Sequence, residues 1–183
     1  MVERIKKLIA PMIITAVIVI GICCIIKLPE SCGAFFTYVS YAVSCVATLF
    51  VIYERYLWKY IPWNIPPVLN RKYDGKIHYK YENEEESKDI IVIVKQTWLT
   101  LHIGIKTNIN SSSSLTAEIV CENNENVLYY SYVTNPSALN EKKNPIQHGT
   151  CRMILNDDNS KITGKYWTSS QTIGDIVWNA EKE

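Results

Sequence analysis

The sequence predicts two membrane-spanning α-helices followed by an all-β, eight-stranded antiparallel barrel. Two long uncharged runs near the N-terminus, a belt of aromatic residues and prolines after them, and recurrent period-two alternation from Gly75 onward carry that expectation. Leu8 to Ile26 holds no charged residue over 19 positions, and Gly33 to Tyr53 holds none over 21. About 20 apolar residues suffice to cross the ~30 Å hydrocarbon layer as a helix. Lys27 to Cys32 is long enough to turn between them, and Pro11 is expected in the first turn of its helix, where a missing amide proton costs little. The first run exceeds the apolar region of a signal peptide and no small-x-small cleavage site follows it. Arg4, Lys6 and Lys7 precede the first helix, and Arg55, Lys59, Arg71 and Lys72 follow the second, while the loop between offers only Lys27, with Glu30 nearby. By the positive-inside rule both termini and the remaining chain lie in the cytoplasm.

The junction "ERYLWKYIPWNIPPVLN" carries Tyr56, Trp58, Tyr60 and Trp63, which with Tyr53 suit the headgroup layer. Pro62, Pro66 and Pro67 stop any helical continuation. The expected division is a helical hairpin over 1–57, a tether over 58–70 and a β domain over 71–183. In the last of these, "KIHYKY", "DIIVIVKQTW", "LTLHIGIKT", "SSLTAEIVCE", "VLYYSYVT", "GTCRMILN", "KITGKYWT" and "TIGDIVWNA" read as strands. The segments "ENEEES" and "DDNS" read as turns, and the serine run Ser111–Ser114 as a connection entering the fourth strand. So many short strands leave exposed edges unless the sheet closes, which favours a barrel over the alternative, a β-sandwich.

The formal charge of +1 provides no basic surface for a DNA or RNA duplex. No C-x-x-C pair exists, and His78, His102 and His148 lack metal-ligand spacing to any cysteine, so no metal is expected. Neither a glycine-rich phosphate loop nor H-E-x-x-H or G-x-S-x-G occurs, and no catalytic constellation or cofactor is expected. In the second helix Ser40, Ser44 and Thr48 recur every fourth residue, a stripe that allows close helix approach or simply faces lipid or the first helix.

Four stretches carry a family likeness. "PVLNRKYDG" resembles the motif Pro-x-Leu-x-Gly-x-Trp-x-Gly, with Tyr73 in place of the tryptophan, and "KQTW" supplies Gln96 and Trp98. "TNINSSS" is similar to Thr-x-x-Ser-x-Ser-x-Ser, matched by Thr107, Ser112 and Ser114, with Asn110 at the first serine. "GKYWTSSQTIGDI" keeps Gly164, Tyr166, Thr168, Thr172, Gly174 and Ile176, and "HGT" adds a weaker match ending at Thr150. In this order, behind two apolar helices, they resemble the CD-NTase-associated effectors of bacterial CBASS antiphage defence that join two transmembrane helices to a β-barrel.

The resemblance implies a protein of the bacterial inner membrane. Its barrel would bind a cyclic di- or oligonucleotide made by a partner nucleotidyltransferase. The protomers would then associate through their helices, breach the lipid bilayer and kill the infected cell. Such a ligand needs aromatic faces for bases and donors for phosphates. The candidate ligand-binding residues are Tyr73, Trp98, Thr107, Asn110, Ser112, Ser114, Thr150, Arg152, Tyr166 and Thr168; Ser40, Ser44 and Thr48 are the candidate helix contacts. Period two points Asn110, Ser112 and Ser114 to one face and Ser111 and Ser113 to the other. Arg152 reads equally as a phosphate clamp or as an outward residue of an alternating strand. The alternative function is a membrane-anchored, lipocalin-like barrel for an apolar ligand or a protein partner, without killing activity.

Overall fold

Inward apolar and outward polar residues alternate along the β segments, and in the computed structural model they close into one barrel. The structure describes residues 2–60, 66–81, 84–108, 110–136 and 145–181. Helices α1 (Val2–Ile26) and α2 (Cys32–Arg55) are both long and apolar enough to cross a membrane. In the turn between them Lys27 pairs with Glu30 at 3.1 Å, and Ser31 caps α2 by accepting from the Ala34 amide at 3.2 Å. Pro11 lies well inside α1 instead of its first turn, because the helix starts in the basic segment ahead of the apolar run. Trp58, in the short 3₁₀ turn Leu57–Lys59, is fully buried while Tyr56 and Tyr60 are exposed, so the aromatic belt divides. Pro62 and Trp63 of the expected tether lie outside the described residues.

The strands are β1 (Lys72–Tyr81), β2 (Glu84–Gln96), β3 (Leu101–Lys106), β4 (Asn110–Glu122), β5 (Glu125–Pro136), β6 (His148–Leu155), β7 (Lys161–Thr168) and β8 (Ile173–Ala180). Each pairs antiparallel with its sequence neighbour, and β1 closes on β8 from Tyr73↔Ala180 to Tyr79↔Gly174. This is an up-and-down barrel without free edges, and no sandwich forms. Two local expectations are corrected. Glu84–Ser87 belongs to β2, because the ladder with β1 runs on through it to Tyr81↔Glu84 and Glu86 accepts from the hydroxyl of its partner Tyr79. The four serines lie within β4, and the connection ahead of them is shorter than the sequence suggests. The β4–β5 hairpin turns on Asn123 and Asn124, at φ 49° and 67°, the left-handed pair that a two-residue hairpin requires and asparagine tolerates.

By contact the chain forms two compact units: the helices together with Thr97–Leu99, and the barrel. The barrel interior holds a column of rings. Tyr73 and Trp178, Trp178 and Tyr130, and Tyr130 and Tyr132 all have centroids 5.9 Å apart. Around the column pack Ile90, Val92, Ile103, Leu128, Met153, Ile162 and Ile176. Glycines on the inner face make room for the rings. A Cβ at Gly75 would lie 3.0 Å from Trp178, its own cross-strand partner.

Candidate functional site

The two ends of the barrel differ in chemistry. At the end where β1 begins, the chain segment before it caps the lumen. Leu69 is buried in the core; its amide donates to Gln96 Oε1 at 2.9 Å, and Gln96 Nε2 donates to the Pro67 carbonyl at 2.9 Å. The Tyr73 hydroxyl accepts from the Asn70 amide and donates to the Asn159 carbonyl, both at 2.9 Å. With its ring fully buried against Trp178, Tyr73 is committed to this cap. Trp98 follows β2 and belongs to the helical unit, where its ring meets Tyr53 edge-on at 5.6 Å and its amide donates to the Glu54 carbonyl.

The opposite end, where β3 passes to β4 and β7 to β8, is polar. Threonines close its hairpins. Thr107 Oγ1 donates to the Asn110 carbonyl at 3.0 Å and accepts from the Asn110 amide at 2.9 Å. Thr168 Oγ1 accepts from the Thr172 amide at 3.2 Å. Local hydroxyl-to-backbone bonds of this kind hold tight turns. The Asn110 side-chain oxygen is buried and, among the described residues, has no hydrogen-bond partner. Along β4 the expected alternation appears: Ser112 and Ser114 are drawn inward, Ser111 and Ser113 are exposed. The two inward serines are not equivalent. Among the described residues β3 pairs with β4 only from Gly104 to Lys106, and the register of β4 slips between Ser114 and Thr116. There Ser114 Oγ, also beside His102, accepts from the buried Ile103 amide at 2.9 Å, supplying the acceptor that the ladder lacks. Ser112, opposite Ile105 and Thr134, has no such duty.

The floor of the polar end is aromatic. Tyr166 reaches it from β7, and Tyr132 and Tyr79, which sequence reasoning did not place in the site, reach it from β5 and β1. The Tyr79 hydroxyl donates to Glu86, and Lys88 Nζ lies 5.0 Å from its ring centroid. Tyr132 lies over Gly149 and Tyr166 over Gly174, in each case the direct cross-strand partner. Burial raises both phenols above their ordinary value of 10 and pushes the Cys151 thiol beneath them up to about 12. The signal for Tyr132 is a glycine opposite an inward tyrosine, which cannot be recognised until the register is known.

Thr150 and Arg152 alternate with the buried Cys151 and Met153 and so face outward. Arg152 donates from Nε to the Tyr129 hydroxyl at 2.9 Å and pairs with Glu122 at 3.0 Å, while Tyr129 donates to the same carboxylate at 2.9 Å. These bonds hold the Glu122 carboxyl below the usual glutamate range. The ten candidate ligand residues therefore do not form one cluster. Thr107, Asn110, Ser112, Ser114, Tyr166 and Thr168 converge on the polar end, Thr150 and Arg152 line the outer wall, Tyr73 belongs to the cap at the other end of the barrel, and Trp98 belongs to the helical unit. Among the described residues no group of histidines, cysteines and carboxylates could hold a metal.

Residues 64–180 match the family model described as Cap15, cyclic dinucleotide receptor domain. Over 144 residues the chain is 39% identical to CD-NTase-associated protein 15 of Staphylococcus schleiferi, an alignment covering 75% of this chain and 76% of that protein. On the strength of the family model, which spans every strand, and of the related CD-NTase-associated protein, the chain belongs to the Cap15 family of cyclic dinucleotide receptor proteins.

Proposed function

We propose that the barrel takes a cyclic dinucleotide, supplied by a partner nucleotidyltransferase, at its polar end. Occupancy then drives association of the membrane helices, disruption of the inner membrane and death of the infected cell. The observation that carries this reading is the coincidence of the receptor-domain match, 64–180, with a barrel that is capped at one end and polar at the other. Ser112, the unpartnered Asn110 oxygen and the tyrosine floor offer donors, an acceptor and apolar surface within one region. No step needs bond-making by the protein, so the chain acts as a receptor and effector and not as an enzyme. The alternative of an apolar ligand deep in the lumen is disfavoured by the ring column from Tyr73 to Tyr132, which already occupies that space.

In this reading α1 and α2 span the membrane with both termini and the barrel in the cytoplasm, as the basic flanks require. Calorimetric titration of the full chain in detergent with cyclic di-AMP, cyclic di-GMP and cyclic AMP-GMP tests the first step. Saturable binding of at least one is expected. Absence of binding by all three, alongside saturable binding of a fatty acid probe, would return the barrel to the apolar-ligand class.

A further inference from the structure

We propose that Tyr132 and Tyr166 form a matched pair of neutral hydroxyl donors for the anionic groups of the ligand, each held in place by a glycine on the next strand. The inference rests on the cyclic dinucleotide reading above and names the residues that would recognise the phosphates.

The geometry repeats. Tyr132 on β5 is paired with Gly149 on β6, and Tyr166 on β7 with Gly174 on β8, so each ring lies over the strand that follows it. A Cβ at Gly149 would come within 2.6 Å of Tyr132 Cε1 and closer still to Cζ and the hydroxyl. A Cβ at Gly174 would meet Tyr166 Cε1 at 2.6 Å and its hydroxyl at 2.8 Å. In both cases the hydroxyl end of the ring rests on the glycine, so any side chain there would push it away. Inner-face glycines weaken a strand unless a neighbouring ring covers them, and here two tyrosines do so in the same rotational sense around the barrel.

What remains unexplained by packing is the hydroxyls. Among the described residues neither phenol makes a hydrogen bond, and neither is among the sealed polar atoms that have no partner, a group that does include the Tyr130 hydroxyl deeper in the same column. Tyr73 and Tyr79 in the same lumen both donate to protein oxygens, and Tyr130 is sealed, so Tyr132 and Tyr166 are the two that combine an open hydroxyl with no protein partner among these. Two open, partnerless donors at the polar end fit a ligand with two phosphates. A phenol whose ionisation burial suppresses stays a donor and never becomes a competing anion. A hydrogen bond to a charged group is stronger than one between neutral partners, which makes each hydroxyl a detectable contributor.

The test is titration of the full chain in detergent with whichever of cyclic di-AMP, cyclic di-GMP and cyclic AMP-GMP binds the wild type most tightly. Tyr132→Phe and Tyr166→Phe remove one oxygen each and keep the ring. Each is expected to weaken binding about tenfold or more, the effect of losing a hydrogen bond to a charged partner, with the loss in binding enthalpy and the melting temperature unchanged. Gly149→Ala should weaken binding in the same direction without touching the ligand, by displacing the Tyr132 hydroxyl; should that variant not fold, the two phenylalanine variants decide alone. Wild-type binding with both phenylalanine variants within twofold of it would overturn this inference and leave the receptor reading standing. No wild-type binding to any of the three would overturn both.

Discussion

Neighbouring residues of one strand acquire opposite roles from a single slip in register. Ser112 and Ser114 look alike in sequence, yet Ser114 Oγ accepts the Ile103 amide where β3 and β4 part, while Ser112 is paired through its backbone and its hydroxyl replaces no ladder acceptor. Ser114→Ala leaves a buried donor unpaired and is expected to cost about 1–3 kcal/mol of stability. Ser112→Ala should change stability by less than about 0.5 kcal/mol and weaken cyclic dinucleotide binding instead. Chemical denaturation and calorimetric titration of the two single variants separate these outcomes; equal loss of stability in both would overturn the assignment. Cys151 offers a second contrast. Its thiol, pushed up to about 12 inside the barrel, is almost wholly protonated at neutral pH, whereas Cys121 is exposed on β4. Iodoacetamide at mildly alkaline pH should label Cys121 in the folded protein and Cys151 only after denaturation, as read by peptide mass spectrometry.

Along the strands, what could be read in advance was whatever alternation alone determines. Period two separates Asn110, Ser112 and Ser114 from Ser111 and Ser113 by face, because side chains alternate across a strand whatever its partners are. Register is a tertiary quantity, and so it hides the Tyr132–Gly149 pairing, the bulge at Ser114 and the cap in which Tyr73 binds Asn159. The same limit explains Arg152. Its outward face follows from alternation, but its partners on β4 and β5 appear only once three strands are side by side. That outer cluster carries a pH signature. Tyr129 and Arg152 hold the Glu122 carboxyl below the ordinary value of 4.5, so its contribution to stability is present above that value and is lost as pH falls through the lowered one. Thermal melts of the wild type and Glu122→Gln should therefore differ at pH 6 and converge as the pH drops toward 3. A gap that persists undiminished in acid would mean that the charge of Glu122 is not what the cluster uses.

At the scale of the whole chain, the proposed association turns on the hydroxyl stripe of α2. Ser40, Ser44 and Thr48 are exposed, whereas Ala42 is buried, so the stripe does not face α1. Ser40 and Thr48 donate to the carbonyls of Phe36 and Ser44, at 3.0 and 2.8 Å, which satisfies their hydroxyl protons within the helix and leaves a shallow surface. Association triggered by a ligand is a population shift, effective only if the nucleotide binds the assembled form more tightly than the monomer. Filling the stripe should therefore break the response after the binding step. In cells expressing an active partner nucleotidyltransferase, the wild type is expected to admit propidium iodide, and Ser40→Leu with Ser44→Leu to keep the dye out. The barrel should bind cyclic dinucleotide in both. Dye entry unchanged by the substitutions would move the helix contact away from this stripe. Wild-type cells that remain sealed with the nucleotide present would reject membrane disruption while leaving the receptor intact.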